Sequence, residues 1–312
     1  IGAVMVERAH LRPVDIGAAR GLDRIHTATG SVPLHRCDLV IEAAVEELAI
    51  KKKIFADLAT RTSPATILAT NTSALPIHEL AEVITHPERL LGLHFFNPVH
   101  RMQLVEVVRT ESTSDETLAT GVAFVRSIGK LPVVVRDSPG FLVNRILMPY
   151  LVEAARLFET GTAPEDIDRA MLDFGMPMGP LRLLDEVGLD VSMHVARTLA
   201  DAFPDRMSIP TVVEKLVTLE HLGRKSGKGF YQYGKSGEST NPQALAVRSG
   251  NSPAPSDLQQ HLAGLMSAEA QLCLDEGVAE TAEDIDLAMV LGTGYAPFRG
   301  GPLEYQKNLA TP

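Results

Sequence analysis

Apolar residues in this chain fall first into short unbroken runs and later into runs spaced three or four apart. "CDLVIEAAV" (37–45) is continuous and passes into "EELAIKKKIFADLAT", where Leu48, Ile50, Ile54, Phe55 and Leu58 recur at roughly helical spacing, so a strand and then a helix are predicted. "ATILATNTS" (65–73) repeats the pattern of a buried strand that ends in small polar residues, with the helical "ALPIHELAEVI" after it. "LLGLHFF" and "LVEVVR" read as strands, "TSDETLATGVAFVRSIGK" as a helix capped by Ser114 or Asp115, and "LPVVVRD" as a further strand. The alternation predicts an α/β class with a mostly parallel sheet covered on both faces. Such sheets bind ligands beyond the carboxyl ends of their strands.

After "DSPGF" the texture becomes helical. "GFLVNRILMPYLVEAARLFETG" predicts a long amphipathic helix with Ser138 as N-cap and Pro139 at the first helical position, where a missing N–H costs nothing. A domain boundary is expected near 137, and "KSGESTNPQALAVRSGNSPAPSD" (235–257) has the composition of a linker. "LVEAARLFETGTAPEDIDRAMLDFGMPMGPL" (151–181) resembles "AEAQLCLDEGVAETAEDIDLAMVLGTGYAPFRGGPL" (268–303): EDID recurs 118 positions on, an Ala-Met pair follows it, and both copies end in Gly-Pro-Leu. The expected organisation is therefore 1–137, an α/β domain; 138–234, a helical domain; 235–257, a linker; and 258–312, a second helical repeat that stops early. Duplicated helical units usually pack on one another and enlarge one core.

Composition narrows the function. With 39 acidic against 29 basic side chains in 312 residues and no basic block, nucleic-acid binding is not expected. No apolar run approaches the roughly 20 residues of a membrane span and the opening "IGAVMVERAH" lacks the pattern of a signal peptide, so a cytoplasmic chain is expected. Cys37 and Cys273 stand alone, which argues against a disulfide framework or a zinc site.

If 91–96 and 104–109 are antiparallel neighbours about a connection centred on His100, position 94 faces position 106, because the two numbers sum to 200. Cross-strand Cβ atoms would then lie about 4.5–5.5 Å apart, within reach of a His94–Glu106 hydrogen bond. A carboxylate at that range fixes the imidazole tautomer and stabilises the imidazolium, as a general base requires. Spacing alone also allows a core histidine beside a sheet-edge carboxylate. A metal site built with His100 is disfavoured by the seven-residue connection, so no metal is expected.

The motifs "LxGLHFFNPVxxMxLVEVV", "ATNTSxL" and "DSPGFLVNRxLxPYLxEA", followed by "FGMPMGPLRLLDEVGLD" and "LGRKSGKGFYQY", resemble the L-3-hydroxyacyl-CoA dehydrogenase family over nearly the whole chain from residue 37. The resemblance implies a Rossmann-like first domain, NAD as cofactor and an acyl-CoA substrate. It implies that His94 takes the 3-hydroxyl proton, that Glu106 orients His94, and that Ser73 and Asn144 hold the substrate oxygen and carbonyl. It implies cofactor contacts at Ala43, Glu46, Lys51, Ser73, Asn97 and Lys225, although Lys51 and Lys225 alone read as ordinary surface lysines and Ser73 as a helix N-cap. The tandem helical repeat is similar to the dehydrogenase half of multifunctional fatty-acid oxidation proteins, which implies an enoyl-CoA hydratase domain and a thiolase subunit as partners.

One departure stands out. Dinucleotide folds place G-x-G-x-x-G between the first strand and helix, but this chain opens "IGAVMVERAH", in which "IGA", with Gly2, and "VM" look like pieces of that segment. The expected explanation is a sequence that joins parts of a longer chain; a real deletion, the alternative, would abolish tight dinucleotide binding. Three functions follow: an NAD-dependent L-3-hydroxyacyl-CoA dehydrogenase of β-oxidation; a short-chain 3-hydroxybutyryl-CoA or related 3-hydroxy acid dehydrogenase, disfavoured by the repeat; and a non-catalytic assembly subunit, favoured by the absent fingerprint but opposed by the intact set of His94, Glu106, Ser73 and Asn144.

Overall fold

The computed structural model describes residues 3–6, 25–30, 32–234, 237–252 and 254–310. The chain divides into two compact units, Ile1–Phe141 and Leu142–Pro312.

The first unit is built on five strands: β3 (Leu39–Glu42), β4 (Ile67–Thr70), β5 (Leu90–Phe95), β6 (Leu104–Arg109) and β7 (Leu131–Arg136), hydrogen-bonded in that order. β3, β4 and β5 are parallel, β6 runs antiparallel to β5, and β7 is parallel to β6. Helices α1 (Leu48–Arg61) and α2 (Ile77–Ala81) follow β3 and β4, and α3 (Asp115–Ser127) follows β6. All four residues of β4 are buried, as a central strand covered on both faces requires. One face packs Ile67, Ala69, Leu91, Leu93, Val105 and Val107 with Val125 of α3. Ser114 is the residue that caps α3, its hydroxyl accepting from the Thr117 N–H. Two further strands, β1 (Ala3–Val6) and β2 (Ile25–Ala28), pair antiparallel with each other in a separate sheet.

The second unit holds α4 (Val143–Glu159), α5 (Pro164–Phe174), α6 (Pro180–Val187), α7 (Leu189–Ala202) and α8 (Thr211–Thr218), then a hairpin of β8 (Tyr231–Gly234) and β9 (Gly237–Thr240). It continues with α9 (Pro242–Ala246), α10 (Leu258–Asp275), α11 (Ala282–Thr293) and α12 (Pro302–Ala310). Helix α10 packs on α4, α5 and α12, so both copies of the repeat share one unit.

Two expectations are corrected. The long helix starts at Val143 and not behind a Ser138 cap, because Gly140 (φ 71°) and Phe141 (φ 53°) both take left-handed backbone, which a helix cannot continue through. The supposed linker 235–257 contains β9 and α9. β9 carries no apolar alternation because it is mostly exposed, and its partner is the backbone of β8. The buried Asn241 holds this stretch in place, its amide donating to the Gly229 carbonyl at 2.7 Å while its oxygen caps α9. Further on, the N–H groups of Ser249 and Ser252 donate to the carbonyls of Glu159 and Thr160 at the end of α4.

The repeat has a physical content that its letters alone do not show. The second aspartate of each EDID accepts two backbone N–H bonds at the start of the third helix of its copy. Asp168 takes Leu181 and Arg182 at 2.9 and 3.2 Å, and Asp286 takes Leu303 and Glu304 at 2.8 and 3.0 Å. The glycine of each Gly-Pro-Leu must be a glycine, since a Cβ at Gly179 or Gly301 would lie 2.3 Å from the Cβ of that aspartate. "LGRKSGKGFYQY" is explained similarly. It wraps the buried Asp185, whose carboxylate accepts from the Phe230 and Tyr231 N–H groups and the Tyr233 hydroxyl, each at 2.9 Å.

Candidate active site

β5 alternates strictly, so Leu91 and Leu93 point into the core under α3 while Gly92 and His94 take the opposite face. Gly92 is required there: a Cβ would lie 2.5 Å from Ile77 Cδ1 and 2.9 Å from Val108 Cβ. The antiparallel register sets Gly92 against Val108 and His94 against Glu106, as the numbers sum. His94 Nδ1 and Glu106 Oε2 are 2.6 Å apart, and the two residues are 6% and 0% exposed. A buried carboxylate needs donors, so the Nδ1 proton belongs to this bond and the Nε2 lone pair is left to accept a proton. Phe96 and Phe141 flank the imidazole, with ring centroids at 4.4 and 5.8 Å.

A second polar group gathers where the parallel strands end. The Glu46 carboxylate accepts from the Thr72 hydroxyl at 2.6 Å, the Ser73 N–H at 2.8 Å and the Ser73 hydroxyl at 3.2 Å. Burial would raise the Glu46 carboxyl, but these bonds and the charge of Lys51 outweigh it and hold the group below its ordinary value. Lys51 is only 1% exposed and pairs with Glu42 at 2.8 Å and with Glu46 at 3.5 Å. It is a buried lysine committed to two carboxylates, not a surface one, and it meets the site through Glu46.

The remaining expected residues are more dispersed. Ala43 and Asn97 are exposed just past the ends of β3 and β5. Asn144 lies half-buried in the first turn of α4, in the second unit. Lys225, also in the second unit, sits in a short 3-10 turn (Arg224–Ser226), exposed and paired with Asp190 at 2.5 Å. Gly2 lies outside the described residues. Sequence reasoning missed Glu42, Thr70, Thr72 and Asn71, whose side-chain oxygen accepts from the Phe95 N–H at 2.9 Å and ties the ends of β4 and β5. A carboxylate closing an apolar strand, as Glu42 does, was the available signal. Among the described residues no cluster of His, Cys, Asp or Glu could hold a metal, and no helix is long and apolar enough to cross a membrane.

A mostly parallel sheet with hydrogen-bonding side chains collected past its strand ends, beside a buried histidine–carboxylate pair, has the form of a dinucleotide-dependent oxidoreductase domain. Residues 5–138 match the NAD-binding domain of 3-hydroxyacyl-CoA dehydrogenase and residues 140–233 match its C-terminal domain. The chain belongs to the 3-hydroxyacyl-CoA dehydrogenase family. It is 42% identical over 292 residues to the fatty acid oxidation complex subunit alpha of Vibrio cholerae, covering 92% of this chain and 41% of that one. It therefore spans less than half the length of the curated relatives it matches. Among solved structures, 3-hydroxybutyryl-CoA dehydrogenase from Escherichia coli is similar at a TM-score of 0.77 and 32% identity, over 88% of this chain and 75% of that one. (S)-3-hydroxybutyryl-CoA dehydrogenase PaaH1 from Ralstonia eutropha is similar at 0.62 and 42%, over 64% and 71%.

Proposed function

We propose that this chain is the dehydrogenase portion of a fatty-acid oxidation protein and converts L-3-hydroxyacyl-CoA to 3-ketoacyl-CoA. The observation that carries the reading is the buried 2.6 Å contact between His94 Nδ1 and Glu106 Oε2. Nε2 of His94 takes the 3-hydroxyl proton, and the Glu106 carboxylate stabilises the imidazolium that results. Ser73 orients the substrate oxygen, and Asn144 is assigned to the substrate carbonyl from the family resemblance alone. The donor set past the strand ends suits a nicotinamide carboxamide: the Ser73 hydroxyl and the exposed Asn97 amide supply polar partners, and Ala43 leaves room for close approach. NAD, when bound, accepts the hydride that C3 loses. Lys225 is assigned to the cofactor from the family resemblance. Because the relatives are named as subunits of a fatty acid oxidation complex, we extend the reading to a hydratase domain and a thiolase as partners.

A four-carbon substrate is the second reading. The E. coli enzyme named for 3-hydroxybutyryl-CoA covers 88% of this chain, more than the 257 of 312 residues ahead of the second repeat can supply. The repeat therefore does not by itself argue against a short substrate. NADH oxidation with acetoacetyl-CoA and with a long 3-ketoacyl-CoA, on the full-length protein and on His94→Ala, tests both readings. Turnover of both substrates is expected, with the variant slower by at least about 10²-fold. Activity confined to acetoacetyl-CoA would select the short-chain enzyme, and no turnover would remove the dehydrogenase assignment.

A further inference from the structure

β3 ends on a carboxylate where its apolar run would lead one to expect another aliphatic residue. Glu42 is 5% exposed, and both of its oxygens are occupied. Lys51 Nζ donates to Oε1 at 2.8 Å and to Oε2 at 2.9 Å, the Thr70 hydroxyl donates to Oε2 at 2.7 Å, and the Ala44 N–H donates to Oε1 at 2.5 Å. The same ammonium stands 3.5 Å from Glu46 Oε2, while Glu46 Oε1 holds Thr72 and Ser73. One buried cation is thus shared unequally between two carboxylates, and the longer distance belongs to the carboxylate that touches Ser73.

That inequality has a consequence. A buried ammonium does not stay unpaired, because taking an ion out of water without a counter-charge is strongly unfavourable. If the charge on Glu42 is removed, the nearest anion left to Lys51 is Glu46, and closing the 3.5 Å gap draws Glu46 away from the Ser73 N–H and hydroxyl. A strand-to-helix contact that served only to fill space would be met as well by apolar residues, since replacing a buried ion pair with them is often neutral or stabilising. Here the charged pair stands instead at the carboxyl end of a parallel strand, where such sheets bind ligands.

We propose that Glu42 is a positioning residue for the reaction: by holding Lys51 it fixes Glu46, and through Glu46 it sets Ser73 for the nicotinamide and the substrate oxygen. The proposal rests on the dehydrogenase reading above. Residues that act through one another show non-additive losses, whereas independent ones add. The test is a double-mutant cycle of Glu42→Gln with Ser73→Ala on the full-length protein, read by fluorescence titration of NADH and by kcat/KM on acetoacetyl-CoA. Glu42→Gln is expected to weaken NADH binding and lower kcat/KM by about ten-fold when Ser73 is intact, and by less than about three-fold in the Ser73→Ala background. Its effect on the melting temperature should be the same in both backgrounds. Should Glu42→Gln alone fail to fold, Glu42→Gln/Lys51→Met removes both charges, and the same dependence on Ser73 is expected because Glu46 has lost its anchor. Equal losses in both backgrounds would overturn the relay, as would a wild-type protein that binds no NADH. A wild type that binds NADH but turns over no 3-ketoacyl-CoA would sink the substrate assignment and leave the cycle in NADH affinity to decide the relay.

Discussion

Arg145 on α4 donates from Nε to Glu269 on α10 at 2.8 Å, and His261 on α10 meets Glu153 on α4 at 2.9 Å. These two pairs are the same contact made twice: 145 and 261, like 153 and 269, differ by 116 positions. The gap differs from the 118 that separates the EDID copies by two residues, which are inserted between the long helix and the EDID of the second copy. The two copies of the repeat therefore meet through α4 and α10 as self-complementary halves of a two-fold interface would.

The two pairs share position but not environment. Side-chain exposure is 2% and 8% for Arg145 and Glu269, but 37% and 19% for His261 and Glu153. Arg145 also pairs with Glu276 at 2.7 Å and lies over the Phe203 ring at 4.4 Å. Removing one partner of a buried ion pair leaves an uncompensated charge, so Arg145→Ala should destabilise the chain by about 3–5 kcal/mol. His261→Ala breaks a partly solvated contact and should cost less than about 1 kcal/mol. Urea denaturation of both variants measures the difference, and equal losses would contradict the asymmetry.

Asp168 should make stability depend on pH. Burial raises its carboxyl to about 6, against the lowering by the Tyr231 hydroxyl and the Leu181 and Arg182 N–H groups. A raised folded value means that the native chain binds the proton more tightly than the unfolded chain. The resulting stabilisation is complete below the unfolded value near 3.8 and is lost as pH rises through about 6. Asp185, raised to about 6 by burial, acts in the same direction. Asp168→Asn removes the Asp168 contribution. The gap in unfolding free energy between wild type and variant should therefore be larger at pH 4.5 than at pH 7.5, by about 2 kcal/mol. Denaturant melts at the two pH values read it, and a gap that widens toward pH 7.5 would reverse the sign.

Glu106→Gln separates orientation from charge. The amide oxygen can still accept the Nδ1 proton of His94, so the tautomer is kept, while the negative charge that supports the imidazolium is gone. Turnover should fall by about 10- to 100-fold, less than in His94→Ala, with the substrate KM nearly unchanged. Steady-state kinetics on both variants decides it: a Glu106→Gln enzyme as fast as wild type would show that the carboxylate only fills the sheet.

What could be read before any coordinates were known follows a rule of locality. The pairing of His94 with Glu106 was legible because a hairpin's register is arithmetic once two strands and a short connection are recognised. The repeat was legible because it is written twice. The start of α4 was not, because left-handed backbone at Phe141 has no compositional mark: it is a bulky residue where glycine or asparagine would be the usual signal. β9 was missed because its order lies in main-chain bonds to β8, which polar letters such as Gly-Glu-Ser-Thr do not advertise. The burial of Lys51 was missed for a similar reason, since nothing within its helix shows that Glu42 waits at the end of the preceding strand.

Phe141 closes the first unit and also walls one side of His94, its ring centroid 5.8 Å from the imidazole and its side chain fully buried. Anyone wishing to express the nucleotide-binding half alone should keep the four residues past 137. A fragment cut at that earlier point would carry His94 and Glu106 but leave the imidazole open to water on the side this ring covers.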